Sequence, residues 1–370
     1  VERIAKDVTV TRKNPMTASF SIVFCGDTLP VYRLDKLPSS ARKVFDIAAK
    51  GDFALGNFEI PLTSRGAPVQ KLLNIRTAPS IADSLPVLGL NVATIANNHA
   101  VDYGIEGLVD TAANLKSAGI EAIGAGADIE DAFRPVFREA GGRRIGVIAF
   151  SCLTPTGMTA AENRAGIAGL RIETGYEIDP WYQMEEPGDP SVIRIRTRVR
   201  EDDLALAVAR VSEARGECDI LIVTLHWGFG SGEELAEYQR PLAERLVEAG
   251  ADVIHGHHPH AIHAFGFHRG KPIIFSAGTY VGQQIFLDAP PAVKRLWAGM
   301  SPDGYVTTLT YGDDADPVIT LRPTTLDANR LPRLVDGVEF QNIADRLERL
   351  SAAQGANIAR SGMTISASAR

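Results

Sequence analysis

The sequence predicts an α/β fold built on a largely parallel sheet, on three observations. Short apolar runs rich in Val, Ile and Ala recur along the chain, and helix-like stretches lie between them. Each run is only five to seven residues long, the length of a buried strand rather than a helix. The 370 residues, 45% hydrophobic and 22% charged, have the composition of a globular protein. That length allows two ordinary domains or one large α/β domain.

Residues 1–19 lack the apolar core of a signal peptide and read as an N-terminal extension. SIVFC (21–25) is a strand followed by Gly26-Asp27, and DFALG (52–56) is a strand followed by Asn57, Phe58 and Glu59. NVATIA (91–96) is a strand followed by Asn97-Asn98-His99. Residues 105–119 carry apolar side chains at three- and four-residue spacing and close on Gly119, which predicts a helix. Residues 154–200, with nine Gly and Pro, read as a lid-like insertion whose Trp181 and Tyr182 pack onto the body. DILIVTL (219–225) is a strand ending at His226. A helix is predicted over 233–250, with Glu233 and Glu234 at its positive end. ADVIHG (251–256) is a strand followed by His257-His258-Pro259-His260, with His255 facing inward. From 262 to 323 an Arg-Gly-Lys turn and a Gly-Asp-Asp turn predict antiparallel hairpins, with His263 and His268 in exposed positions. The main body thus runs over 20–330. A C-terminal helical tail follows (331–370), with a helix over 340–354 and a mobile last dozen residues.

A net charge of −7 argues against a nucleic-acid protein driven by a basic surface. No apolar run reaches the ~18–20 residues that span a bilayer. Cys25, Cys152 and Cys218 are scattered and odd in number, so they read as buried free thiols. That favours a reducing compartment and a cytoplasmic location, or export if a leader has been removed.

The chemistry lies at the strand ends. Seven of the eight histidines fall between 226 and 268. Five apolar runs end in donor types: Asp27, then Asn57 and Glu59, then Asn98 and His99, then His226, then His258 and His260. Parallel strands share one carboxyl edge, where ligands bind. Singly, each residue has an ordinary explanation: an Asp as a turn or cap, an Asn pair as a turn, a lone His as a core residue. Together they supply more donors than one tetrahedral ion takes. Imidazole and carboxylate without thiolate suits Zn, Mn, Fe or Ni, and two ions ~3.5–4 Å apart would favour phosphoryl chemistry.

FCGDTLP (24–30), GDFALGNFEIPLTSRG (51–66), NIRTAPSIADSLPVLGLNVATIANNHAVDYG (74–104), LHWG (225–228), GADVIHGHHPHAIH (250–263) and GKPIIFSAGTY (270–280) together resemble the CapA-type proteins. That family is named for capsular poly-γ-glutamate synthesis and belongs to the calcineurin-like metallophosphoesterase superfamily. The resemblance runs from about residue 20 to 355. It implies two mixed β-sheets flanked by helices, with a metal site at the carboxyl ends of the strands. It implies two divalent ions (Mn, Zn or Fe) held by Asp27, Glu59, Asn98, His226, His258 and His260. His99 would act on the leaving group with Asp102 orienting it, and Arg76, Asn57 and His257 would meet substrate. The terminal pair reads as His258/His260 in preference to Gly256-His257-His258. The sequence departs from the family at Leu29, at Phe229-Gly-Ser-Gly and at Ser276-Ala277-Gly278-Thr279. The expected function is metal-assisted hydrolysis of a phosphoester or phosphoanhydride, on a small anionic or γ-glutamyl substrate. The alternatives are γ-glutamyl amide chemistry and a non-enzymatic role in polymer synthesis or export. The chain has no Walker A phosphate loop, which disfavours ATP-driven ligation.

Overall fold

All five apolar runs form strands in the computed structural model of the chain, which describes residues 19–230, 232–312 and 316–370. In chain order the strands are β1 (Phe20–Leu29), β2 (Phe53–Phe58), β3 (Val92–Thr94), β4 (Glu121–Ile123), β5 (Val136–Ala140), β6 (Arg143–Ser151), β7 (Ile172–Ile178), β8 (Ile193–Val199), β9 (Ile220–His226) and β10 (Val253–His257). They continue as β11 (Phe265–His268), β12 (Lys271–Ile274), β13 (Thr279–Gly282), β14 (Asp303–Tyr311), β15 (Val318–Leu326), β16 (Pro332–Leu334), β17 (Ala356–Ser361) and β18 (Thr364–Ala369). The longer helices are α1 (Ser39–Ala49), α2 (Gly104–Ser117), α3 (Glu201–Arg215), α4 (Gln239–Glu248) and α5 (Gly337–Ser351).

Sixteen of these strands form two mixed sheets rather than one largely parallel sheet. The first has the order β17-β18-β15-β14-β1-β2-β3-β4, with β13 beside β1 and β16 on β15. The second has the order β11-β12-β10-β9-β6-β5. Parallel pairing joins β1, β2, β3 and β4 in one sheet, and β6, β9, β10 and β12 in the other.

Period-two alternation separates three cores. Phe20, Ile22, Phe24, Phe53 and Leu55 from the first sheet meet Ile145, Val147, Ile220, Ile222 and Val253 from the second, which packs the sheets face to face. The opposite faces carry helices. Val23, Ala54 and Ala93 lie against α1, α2 and the 3₁₀ segment Pro79–Leu88. Ile148, Leu221, Val223 and Ile254 lie against α3 and α4. The result is an α/β sandwich of two mixed sheets flanked by helices.

The alternation also aims the site. Thr224 and His226 share the face of Ile220 and Ile222, and His255 and His257 share the face of Val253, so all four point between the sheets. Asp27 is different: strict alternation from Phe24 would turn it toward the helices with Val23. The β1–β2 register slips between Phe24↔Leu55 and Asp27↔Asn57. One extra residue on β1 is a bulge that reverses the faces beyond it. Asp27 thereby joins Asn57 on the inter-sheet side.

Several expectations differ from the structure. The helix expected over 233–250 begins at Gln239, because Pro241 has no N–H to donate and fits only a first turn. Glu233 instead pairs with Arg346 and Arg349. His263 is fully buried, where its Nε2 lies 3.1 Å from the Gly232 carbonyl. The last dozen residues, expected to be mobile, form the β17–β18 hairpin, which adds Ala356, Ile365 and Ala367 to the inter-sheet core. Within 154–200, β7 and β8 form a two-stranded ribbon. Trp181 at its tip is 75% exposed rather than packed. The Gly-Asp-Asp turn, through Asp313 and Asp314, lies outside the described residues. Among the described residues no helix is long and apolar enough to cross a membrane.

Candidate metal centre

Two triads of buried donors meet at the carboxyl ends of β1, β2, β9 and β10: Asp27 with His226 and His257, and Glu59 with His258 and His260. The donor atoms within each triad all lie within 4.8 Å of one another. His226 Nε2 stands 3.4 Å and His260 Nε2 3.6 Å from Glu59 Oε1, while His260 Nδ1 stands 3.2 Å from Asp27 Oδ2. The two triads therefore form one contiguous cluster. Asn57 lies at its base and donates to Asp27 Oδ1 at 2.7 Å and Glu59 Oε2 at 3.1 Å. The Asn98 side-chain oxygen is 2.8 Å from His226 Nε2.

The loop after β10 reaches the cluster through an unusual backbone. His258 and His260, on either side of Pro259, have φ of 106° and 51°. Non-glycine residues at positive φ are strained and persist where surrounding contacts hold them. Here the His258 N–H is held by the Asp27 carboxylate at 3.3 Å.

Two buried negative charges shape the electrostatics. Burial disfavours charge on His260, but Glu59 and Asp27 outweigh it and hold the imidazole protonated well above its ordinary range. Burial likewise opposes ionisation of both acids, as does Glu59 for Asp27, yet His260 keeps each carboxyl below its usual value. Burial first, then neighbouring imidazoles, keep His226 and His257 neutral. Glu59 Oε1 and His258 Nδ1 are buried without a hydrogen-bond partner, 3.9 Å apart. Buried polar atoms are ordinarily satisfied. An anionic, imidazole-rich pocket with two buried polar atoms that make no hydrogen bond fits divalent cations.

His99 and Asp102 sit beside this cluster, in the turn between β3 and α2. His99 Nδ1 is 2.7 Å from Asp102 Oδ2, which also accepts the Ile75 N–H at 2.8 Å. Lys71 donates to the other Asp102 oxygen and to the Asn98 carbonyl. Arg76 lies half-buried over the Tyr103 ring, 4.2 Å from its centroid.

The structure thus brings Asp27, Glu59, Asn98, His226, His258 and His260 together. Two residues expected to meet substrate lie within the cluster itself. Asn57 and His257 are fully buried, Asn57 bonded to both acids and His257 facing Asp27 and His226. The parity of β10 carried that signal for His257. Lys71 was missed, and nothing local in its sequence marks it.

Fold and cluster together define an α/β sandwich with buried imidazole and carboxylate groups that could hold metal at its strand ends. The model of the family described as "Bacterial capsule synthesis protein PGA_cap" matches residues 21–284, and the chain belongs to that family. The chain is 28% identical over 273 residues to the PGA biosynthesis protein CapA of Bacillus subtilis (strain 168), an overlap of 71% of this chain and 63% of that protein. It is 32% identical over 231 residues to a probable polyglutamine synthesis accessory protein of Mycobacterium tuberculosis, covering 62% of this chain and 55% of the relative. With the capsule biosynthesis protein CapA of Bacillus anthracis it shares 26% over 247 residues, 66% of this chain and 53% of the relative. The chain therefore spans about half to two thirds of the length of these relatives. A hypothetical protein from Thermus thermophilus overlays with a TM-score of 0.43 at 14% identity, over 82% of this chain and 98% of that one, too distant to carry an argument.

Proposed function

We propose that this chain is a metal-dependent hydrolase of phosphoesters or phosphoanhydrides, with a sandwich of the calcineurin-like metallophosphoesterase kind. The observation that carries the reading is the pair of adjoining buried triads with Glu59 Oε1 and His258 Nδ1 left unpartnered between them. Asp27, His226 and His257 would hold one divalent cation, and Glu59, His258 and His260 a second, with Asn98 at the mouth. When bound, such ions supply Lewis-acid charge that activates water and offsets charge on phosphoryl oxygens.

The chain's own residues supply the rest. Asp102 accepts a hydrogen bond from the Nδ1–H of His99, which orients the ring so that Nε2 can carry a proton to the leaving oxygen. Lys71 holds Asp102 and the Asn98 carbonyl in place from behind. Arg76 offers a planar guanidinium for a phosphate or carboxylate.

The names of the relatives favour a setting in polyglutamate capsule synthesis, and with it a second reading: γ-glutamyl amide chemistry or an accessory, non-enzymatic role on that polymer. The two readings separate by experiment. Elemental analysis of protein purified without chelator should find about two equivalents of Mn, Zn or Fe. Turnover should appear on a phosphoester panel and not on γ-glutamyl peptides. His226→Ala should lose both metal and turnover. Metal content and turnover unchanged in His226→Ala would sink the site assignment, and turnover of the peptides alone would promote the second reading.

A further inference from the structure

Behind the cluster a fully buried chain of polar groups links a main-chain carbonyl to one of its histidines. His255 Nε2 lies 3.1 Å from the Cys25 carbonyl oxygen. His255 Nδ1 lies 3.1 Å from Thr224 Oγ1, and Thr224 Oγ1 lies 3.0 Å from His257 Nε2. Thr224 and His255 are register partners on β9 and β10, so the sheet itself sets their contact. Cys25 falls in the β1 bulge, between the paired residues Phe24 and Asp27.

The proton positions along this chain follow from what each group can do. A carbonyl only accepts, so His255 Nε2 carries a hydrogen. His255 is fully buried with the Cys25 carbonyl and the Thr224 hydroxyl as its two hydrogen-bond partners, so one ring proton, on Nε2, satisfies it; its Nδ1 is then a lone pair. The Thr224 hydroxyl donates its single hydrogen to that lone pair. Its oxygen must therefore accept from His257, which places the His257 hydrogen on Nε2. His257 Nδ1 is left as a lone pair, 2.9 Å from His226 Nδ1 and 4.0 Å from Asp27 Oδ1.

We propose that Thr224 is a positioning residue: through Cys25 O and His255 it locks His257 in the Nε2–H tautomer, so that Nδ1 faces Asp27 and His226 as a cation donor. This rests on the reading of the cluster as a metal centre. It assigns a function to Thr224 and His255, which otherwise are polar residues without a task in the inter-sheet core. A hydroxyl is required at position 224, since only a group that donates and accepts through one atom can bridge the two imidazoles in this order.

Two measurements test it. Zn²⁺ or Mn²⁺ alone is titrated into chelator-stripped protein against a competing chelator, for wild type, Thr224→Val and Thr224→Ser. Thr224→Val should weaken the binding of one equivalent by about 10–100-fold, the usual effect of losing a partner behind a ligand. Thr224→Ser, which keeps the hydroxyl, should bind within a few-fold of wild type. Long-range ¹H–¹⁵N spectra of the metal-free wild type, labelled in its histidine rings, should show His257 and His255 protonated on Nε2. Wild-type affinity in Thr224→Val, or a proton on His257 Nδ1, overturns the role of Thr224 while the metal centre stands. Failure of wild type to bind either ion overturns the metal centre instead. The wild-type spectra decide the tautomer even if Thr224→Val does not fold.

Discussion

Asp102 is fully buried and meets three donors at once: His99, the Lys71 ammonium and the Ile75 N–H. An amide in its place would present a donor to one of them and turn the His99 ring. Asp102→Asn should therefore lower phosphoester turnover by about 10²–10⁴-fold while metal content stays at the wild-type level. His255 offers a test on the metal-free protein that needs no substrate. Burial, opposed by Asp27, lowers its pKa from 6.5 to about 4. Between those values the unfolded chain binds a proton that the folded chain does not, so this contribution is complete above pH 6.5 and lost as pH falls toward 4. The shift corresponds to roughly 3 kcal/mol. Urea unfolding of chelator-stripped protein at pH 7 and pH 4.5 should show wild type losing more stability than His255→Gln over that interval. His258 gives a backbone test. At a φ of 106°, glycine is relaxed and alanine is not, so metal-free His258→Gly should be more stable than His258→Ala by about 1 kcal/mol.

At the scale of elements, close approach of strands decides what the site tolerates. A Cβ at Gly256, in the middle of β10, would stand 2.2 Å from Trp227 Nε1 and 2.4 Å from the Phe275 carbonyl. These are the two ends of the 2.9 Å hydrogen bond that ties the Trp227 indole to the bend just after β12. Gly256→Ala should destabilise the protein by about 1–3 kcal/mol or more through overpacking, read as a lower urea midpoint, and should disturb His255 and His257 on either side. The β7–β8 ribbon shows the opposite regime. One face pairs Tyr176 with Ile195 and Ile178 with Ile193, all of them exposed, and the other carries Glu177 and Arg196 in an ion pair. Ion pairs at such exposed sites contribute little, so Glu177→Gln should shift unfolding by less than about 1 kcal/mol.

The whole molecule depends on two sheets closing over a shared core that holds the strand tips in register. The C-terminal hairpin belongs to that core. Ile365 is fully buried in it, and β18 pairs with β15. Ile365→Ala should cost about 2–5 kcal/mol, which a denaturation curve will show.

Much of this was legible in the residues. Apolar runs with donors at their ends located the five strands and most of the cluster, because strand length, alternation and the carboxyl-edge rule act locally. The identity of the family followed from the Asn-Asn-His-x-x-Asp-x-Gly and Gly-His-His-Pro-His segments, which are contiguous in the chain. Tertiary structure alone decided the rest. Whether Asp27 faces the helices or the other sheet depends on a one-residue slip against β2, and a register is a property of two strands. Whether His257 meets solvent or Asp27 depends on the second sheet covering it. Lys71 reaches Asp102 across 31 residues, and Cys25 reaches His255 across 230, separations over which no sequence period carries information.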